Sequence, residues 1–317
     1  MSITSKIVLI TGATAGIGRE TAVFLAHQGH HVIATGRKEL ELARLKAEVT
    51  ETAIMGRLDT LVLDVTSSES IANAVRDVAT LTKGHGLDVL VNNAGFGVLG
   101  PSSEITDSEM RRQYDTNVFG LMAVTRAFLP RMLERKSGRI LNVSSVGGRM
   151  TLPFFGVYSS TKYAVESLSD ALRYELRPFG IDVSLIEPGV IRTNFEATAV
   201  GSLTSLKAGP YGAALGKYEQ MSKMADRFAA NPIVIAKAIG HAVKVRRPAA
   251  RYVAPRYNSL IFAFRAIAPT RMWDWAMRKV GFLSPKVLDF GAAAAVHSPA
   301  AVVLTEAPRA QPSASPN

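Results

Sequence analysis

Short apolar runs recur along the first 190 residues, and each is followed by a longer stretch with helical spacing. The runs cover residues 6–10, 31–35, 59–63, 88–92, 139–144 and 181–187. Each is apolar for most of its length rather than alternating, the pattern of strands covered on both faces. Residues 17–28, 38–50, 67–82, 107–135 and 157–177 read as helices. Ser67 reads as the N-cap of the third and Asp107 as the cap of the fourth, each offering an oxygen to unpaired first-turn N–H groups. This alternation predicts an α/β fold, a doubly wound and mostly parallel sheet with right-handed crossovers.

Beyond about residue 190 the pattern loosens. Residues 196–230 hold Gly201, Gly209, Gly212 and Gly216 among Ala and Ser, which reads as a mobile loop-helix segment. Pro232 suits the start of a helix reaching about residue 245. Residues 251–254 read as a last strand, and 257–283 as helix broken at Pro269. From Gly291 onward the chain is Ala, Ser and Pro with little to bury, so 291–317 reads as a disordered tail.

Composition narrows the class. Of 317 residues, 47% are apolar and 20% charged, the balance of a globular chain. The absence of cysteine excludes disulfides, thiolate zinc sites and Cys nucleophiles, and fits a cytoplasmic setting. No apolar run reaches the roughly 18 residues that span a bilayer. Five residues precede the first strand-like run, so no signal peptide is expected. The net charge is +11, but residues 1–200 hold 21 basic and 21 acidic side chains, and residues 201–317 hold 16 and 5. A basic chain invites a nucleic-acid reading. This distribution removes it for the first two thirds, and no nucleic acid is expected.

The first strand runs into Thr11-Gly12-Ala13-Thr14-Ala15-Gly16-Ile17-Gly18. Glycines let backbone approach a pyrophosphate, and the helix N-terminus offers free N–H groups and a positive dipole end. The second strand ends at Thr35-Gly36-Arg37-Lys38, where an acid would select NAD by accepting from a ribose hydroxyl. No carboxylate stands at 34–38, and the Arg37 guanidinium suits a 2′-phosphate, so NADP(H) is expected over NAD.

Four further features follow in order: Asn92-Asn93-Ala94-Gly95, Asn117, Ser145 and Tyr158-x-x-x-Lys162. With this set the chain resembles the short-chain dehydrogenase/reductase family over roughly residues 5–195. The order and spacing carry the resemblance, not any single motif. Tyr158 and Lys162 share a helix face, so the ammonium is expected to favour phenolate and lower the tyrosine pKa. Tyr158 then serves as general base for alcohol oxidation and general acid for reduction.

The resemblance implies that Lys162 also bonds the nicotinamide ribose, that Ser145 hydrogen-bonds the substrate oxygen, and that Asn117 anchors a water beside the lysine. Ser144 competes with Ser145, and Asn117 also suits closure of a backbone gap. By the same resemblance Asp64 and Val65 flank the adenine, although Asp64 also reads as a strand-end cap. Asn92, Ala94 and Gly95 line the adenosine ribose, and Pro188, Gly189, Ile191 and Thr193 meet the nicotinamide. Ala15 departs from the family's NADP-preferring members, many of which carry a basic residue there.

The resemblance implies a Rossmann-like domain over residues 1–255, with a substrate loop at 190–230. A basic, aromatic helical extension follows at 256–290, and then the tail. It also implies a homo-oligomer through helices 107–135 and 157–177. Loops beyond the strand ends are apolar: Phe96, Val98 and Leu99, then Met150, Leu152, Phe154 and Phe155, then Val190, Ile191 and Phe195. They suit a hydrophobic alcohol or ketone. Ser145-Val146-Gly147-Gly148 with Leu152-Pro153-Phe154 resembles the hydroxysteroid and retinol dehydrogenase branch, which implies a steroid, retinoid or long-chain lipid. A 3-oxoacyl-thioester reductase and a catalytically silent dinucleotide-binding protein stand as alternatives.

Residues 241–286 hold ten Lys and Arg, one acid (Asp274) and both tryptophans, Trp273 and Trp275. Met272, Trp275, Ala276 and Val280 recur at helical spacing. Three readings stay open: contact with an anionic membrane, contact with an acidic substrate tail such as a coenzyme A phosphate, or packed aromatics beneath solvated charges.

Overall fold

The computed structural model describes residues 5–51, 54–193, 195, 209–225, 227 and 229–289. Seven strands form one parallel sheet: β1 (Ile7–Ile10), β2 (His31–Gly36), β3 (Arg57–Val62), β4 (Val89–Asn92), β5 (Gly138–Val143), β6 (Ile181–Pro188) and β7 (Arg251–Ala254). Their order is β3-β2-β1-β4-β5-β6-β7. The winding reverses between β1 and β4, and in such sheets ligands bind beyond the strand C-termini at that switch point.

The helices that cover the sheet are α1 (Gly16–His27), α2 (Glu39–Glu51), α3 (Ser68–Leu81), α4 (Asp107–Tyr114), α5 (Leu121–Arg135) and α6 (Gly156–Leu176). After the six βα units come α7 (Gly212–Ala225), α8 (Ile233–Lys244), α9 (Asn258–Ile267) and α10 (Thr270–Val280). Successive strand residues point to opposite faces, so each strand feeds two cores. Val8, Ile10, Val89 and Val91 pack beneath α1 and α8, and Leu9, Ile33, Leu90 and Ile140 beneath α3 and α5. Ile235 and Ile239 of α8 are fully buried, each worth roughly 1.5–3 kcal/mol of transfer energy. α8 approaches α1 closely because Gly240 has no side chain; a Cβ there meets Phe24 at 2.6 Å.

Two local readings are corrected. Thr106, not Asp107, caps α4. Its hydroxyl accepts from the Glu109 N–H while the Glu109 carboxylate accepts from the Thr106 N–H, a reciprocal capping box. Asp107 lies inside the first turn, where its charge favours the helix dipole. The stretch 107–135 is also not one α-helix. A π-helical turn, Asp115–Gly120, separates α4 from α5 where Gly120 passes under the Val65 carbonyl. Such widened turns often mark functional sites, and this one carries Asn117. Ser67 caps α3 as read, and α9 and α10 part at Pro269. Residues 196–208 of the 196–230 segment, and the whole tail 291–317, lie outside the described residues.

Candidate active site

The glycine-rich turn sits between β1 and α1, against β4. Gly12 has φ of 65°, and a Cβ on it would lie 2.9 Å from the Ala94 Cα. A Cβ on Gly18 would lie 2.3 Å from the Gly12 carbonyl oxygen and 2.5 Å from Asn93 Nδ2. The backbone is therefore folded tightly enough that side chains are excluded. Ala15 provides no side-chain cap and the first turn of α1 holds no acid, so its N–H groups face outward with the dipole's positive end. Thr14 packs on Gly36, and Thr193 packs on Gly16, so the β2 and β6 loops meet the turn from either side. Ile17 is half-buried beside the α1 core, while Ile191 is buried and bridges to Ala230.

Arg37 is exposed at the end of β2. Burial pushes the Asp64 carboxyl up, but bonds from the Thr66 N–H (2.9 Å) and hydroxyl (2.7 Å), with the Arg37 charge, hold it below the usual range. Asp64 thus acts as a local cap and lies within reach of Arg37. Val65 is buried next to it, under the π-helical turn. This cradle fits an extended dinucleotide: glycines at the phosphate turn, a helix end aimed at it, and an exposed cation, Arg37, after β2.

At the other end, Ser145, Tyr158, Lys162 and Asn117 converge. Tyr158 is buried in a box of Phe155 (centroids 6.2 Å), Phe195 (5.3 Å) and Gly147. Burial pushes its phenol up to about 12, and the neighbouring Ser145 hydroxyl pulls the other way. The expected lowering by Lys162 does not carry the balance. Its Nζ lies 5.9 Å from the tyrosine ring centre, and desolvation of a phenolate outweighs an ammonium at that distance. Lys162 donates to the Val143 carbonyl (2.9 Å), and burial pulls its pKa down to about 8 against the pull of Glu166.

Asn117 donates to the Phe96 carbonyl (2.9 Å) and Thr161 (3.1 Å) and accepts from the Phe96 N–H (3.1 Å). It closes the backbone gap after Gly95. A Cβ on Gly95 would lie 3.0 Å from Asn117 Oδ1 and 3.7 Å from Lys162 Nζ, so the three groups share one small space. Ser144 is 2% exposed and lies against Glu166, whereas the half-buried Ser145 lies beside Tyr158.

A charge cluster that sequence reasoning missed lies directly behind. Glu187 at the end of β6 is fully buried, and Glu166 sits one turn after Lys162 on α6. Arg251 of β7 reaches Glu166 (3.1 Å), Glu187 (3.2 Å) and Asp170 (2.6 Å), while Arg149 reaches Glu187 (3.3 Å). Burial pushes both glutamates up. The cluster ties the Ser145 loop to the Pro188-Gly189 segment. No pattern in the chain announces it, because its members come from four separate segments, with 102 residues between Arg149 and Arg251.

The two asparagines at the end of β4 point to opposite sides. The Asn92 side chain points into the core, donating to Thr125 and Asn142 (2.9 Å each). Its neighbour Asn93 faces the site and ties the turn together through the Thr11 and Gly12 carbonyls (2.9 and 3.1 Å). The doublet alternates faces, as strand residues do. No cluster suited to a metal ion occurs among the described residues.

Known proteins share this arrangement. The family model for short chain dehydrogenase matches residues 6–202. An uncharacterized oxidoreductase, YbbO of Escherichia coli, is 37% identical over 85% of this chain and 93% of its own. The 3-ketodihydrosphingosine reductase of Bacteroides thetaiotaomicron is 34% identical over 86% and 97%. An NADPH-dependent 3-dehydrocapnine reductase of Ornithobacterium rhinotracheale is 32% identical over 84% and 94%. Among solved structures, a short-chain dehydrogenase from Streptomyces avermitilis superposes with a TM-score of 0.69 at 32% identity, covering 89% of this chain and 98% of that one. One from Burkholderia phymatum, in complex with NAD, has a TM-score of 0.72 at 25% identity, covering 84% and 94%. The matched stretch contains the turn, strands β1 to β6 and the residues Ser145, Tyr158 and Lys162, and the chain belongs to the short-chain dehydrogenase/reductase family of oxidoreductases.

Proposed function

We propose that this protein is an NADP(H)-dependent reductase of hydrophobic ketones. The observation that carries it is the Tyr158 hydroxyl, held beside Ser145 inside an aromatic box with Lys162 one turn away. A phenol with a pKa near 12 stays protonated throughout the physiological range. In that form it can donate to a carbonyl oxygen during reduction, and its phenolate is the form that would accept a proton during alcohol oxidation. The bound dinucleotide supplies the hydride. Ser145 donates to the carbonyl oxygen, and Tyr158 gives it a proton from Oη. The Lys162 side chain, mainly an ammonium below its lowered pKa of about 8, steadies the phenolate left behind and bonds the nicotinamide ribose. Asn117 is a positioning residue that keeps Gly95 and Lys162 in register. Gly12, Gly16 and Gly18 admit the pyrophosphate, Asp64 and Val65 flank the adenine, and Arg37 meets the 2′-phosphate. Backbone of Ala94 and Gly95 lines the ribose, and Pro188, Gly189, Ile191 and Thr193 hold the nicotinamide.

The walls beyond Tyr158 are apolar. Leu99, Phe154, Leu215 and Tyr218 form one cluster with Phe195, Met221 and Phe282. Such walls suit a steroid, retinoid or long-chain lipid ketone, and two similar proteins are named as reductases of the 3-keto and 3-dehydro forms of their substrates. Exposed Phe119, Tyr163 and Tyr174 on and beside α6 suit a homo-oligomer. The test is NADPH consumption across long-chain and sterol ketones against small polar ketones. Preference for the apolar set is expected, with Tyr158→Phe losing on the order of 10²–10⁴-fold in turnover. Equal turnover by Tyr158→Phe refutes the mechanism, and preference for the polar set refutes the substrate class.

A further inference from the structure

The two helices after β7 carry an apolar face that no described part of the chain covers. Only Asn258 and Phe262 of α9 turn fully inward. Asn258 packs on Gly189, and the Phe262 ring lies 4.1 Å beneath the Arg149 guanidinium. The outward positions are Tyr257, Leu260 (73% exposed), Ile261, Phe264 (50%) and Ile267 (81%), spaced three and four apart along one flank. α10 has no buried residue and exposes Met272 and Trp275. The sequence pattern grouped Met272, Trp275, Ala276 and Val280. The structure splits that group, half-burying Ala276 and Val280 and moving most of the exposed apolar surface onto α9.

Cations surround this face. Arg256, Arg265, Arg271, Arg278 and Lys279 lie on or beside it, α9 has no acid, and Asp274 is the one carboxylate of α10. None of the five pairs with a carboxylate among the described residues. Arg265 lies 5.2 Å over the Trp273 ring and Lys279 6.0 Å over Trp275, so cation and aromatic sit together at the rim.

We infer that α9 and the outer face of α10 dock on an anionic lipid bilayer. Leu260, Phe264 and Ile267 enter the acyl boundary, Trp275 sits at headgroup depth, and the arginines and Lys279 meet lipid phosphates. Charge selects this occupant. A second copy of the chain would bring the same cations to the same face, and like charges oppose that pairing. An acidic protein surface would match the cations and leave Leu260 and Ile267 without an apolar counterpart.

The placement has a consequence. Gly281, just past α10, packs on Pro153, and Phe282, Leu283 and Leu288 join the Phe154 cluster beside Tyr158. A groove of about 440 Å³ between α10 and the Met150–Phe154 loop, lined by Trp273 and Met277, opens beside the docking face. Docking therefore brings the apolar walls of the site to the membrane. The inference stands on the surface and not on the substrate reading, because vesicle binding and turnover are measured separately.

The test is co-sedimentation of the full chain with vesicles of phosphatidylglycerol and phosphatidylcholine in equal parts, against phosphatidylcholine alone. Binding to the anionic vesicles at low salt is expected, with loss at about 1 M salt, where the Debye length falls to about 3 Å. Serine in place of Arg271, Arg278 and Lys279 together should weaken binding on the order of 100-fold. Leu260→Glu with Ile267→Glu, at the two most exposed apolar positions of α9, should abolish it while leaving the unfolding midpoint and NADPH turnover unchanged. In a Trp273→Phe background, Trp275 fluorescence should shift blue on vesicle addition. Absent binding at low salt, equal binding to neutral vesicles, or binding retained in Leu260→Glu/Ile267→Glu overturns the inference. So does a dimer in sedimentation equilibrium that this double variant disperses, since the face would then belong to a second copy.

Discussion

Replacing Arg251 by methionine removes the one cation that holds three carboxylates while keeping most of the side-chain volume. Arg251 contacts Glu166, Asp170 and Glu187 at 2.6–3.2 Å, and Glu187 is fully buried with only Arg149 left to it. Removing one partner of a buried ion pair costs about 3–5 kcal/mol, because the other charge is stranded. At a few degrees per kcal/mol, that is a fall of roughly 6–20 °C in Tm at about pH 8. The deficit should depend on pH. Both glutamates already have folded pKa values raised above 4.5, and losing Arg251 raises them further. A carboxyl whose folded pKa exceeds its unfolded value binds more protons in the native state, so stability falls as pH rises through that window. The variant's extra loss lies at the alkaline end and is relieved by acid. At about pH 5 the deficit should be smaller than at pH 8, falling toward that of the partly exposed Arg251–Asp170 pair. Thermal unfolding of parent and variant at both pH values gives the answer. A deficit equal at pH 5 and pH 8, or larger at pH 5, refutes the stranded-charge reasoning.

Arg37→Asp should raise the KM for NADPH by about 10–150-fold, the worth of a charged hydrogen bond, and leave the KM for NADH unchanged or lower; equal KM values for both cofactors in the parent would remove the 2′-phosphate reading. Gly18→Ala forces a methyl to within 2.3 Å of the Gly12 carbonyl, so nucleotide binding by fluorescence titration should fall more than melting temperature does. Lys162, with a pKa lowered to about 8, should show an alkaline limb in kcat/KM for reduction, as its ammonium is lost above that pH. Its folded pKa lies below the unfolded 10.5, so its burden on stability should relax between about pH 8 and 10.5. A profile flat through pH 9 refutes the ammonium's role.

What the sequence made legible follows from what is local. Strands read as β-branched runs because a parallel strand is buried on both faces, and all six came within two residues of the observed ends, as did the short β7. The glycine turn was legible because close backbone approach leaves only one residue type. Asn92 and Asn93 were confused because the motif names a doublet while the strand's alternation decides which one faces the site. The tyrosine pKa was misread for a deeper reason. Spacing of four places Lys162 on the face of Tyr158, but it carries no information on how much water remains around them. That is set by Phe155, Phe195 and Gly147, from three separate segments, and their exclusion of water outweighs the lysine's charge. The same holds for the Arg251 cluster, whose carboxylates are raised by burial among elements that meet only in the folded chain. A dielectric is a tertiary property. A site built from locally legible groups therefore has its protonation set, here toward the neutral phenol, by residues that no motif contains.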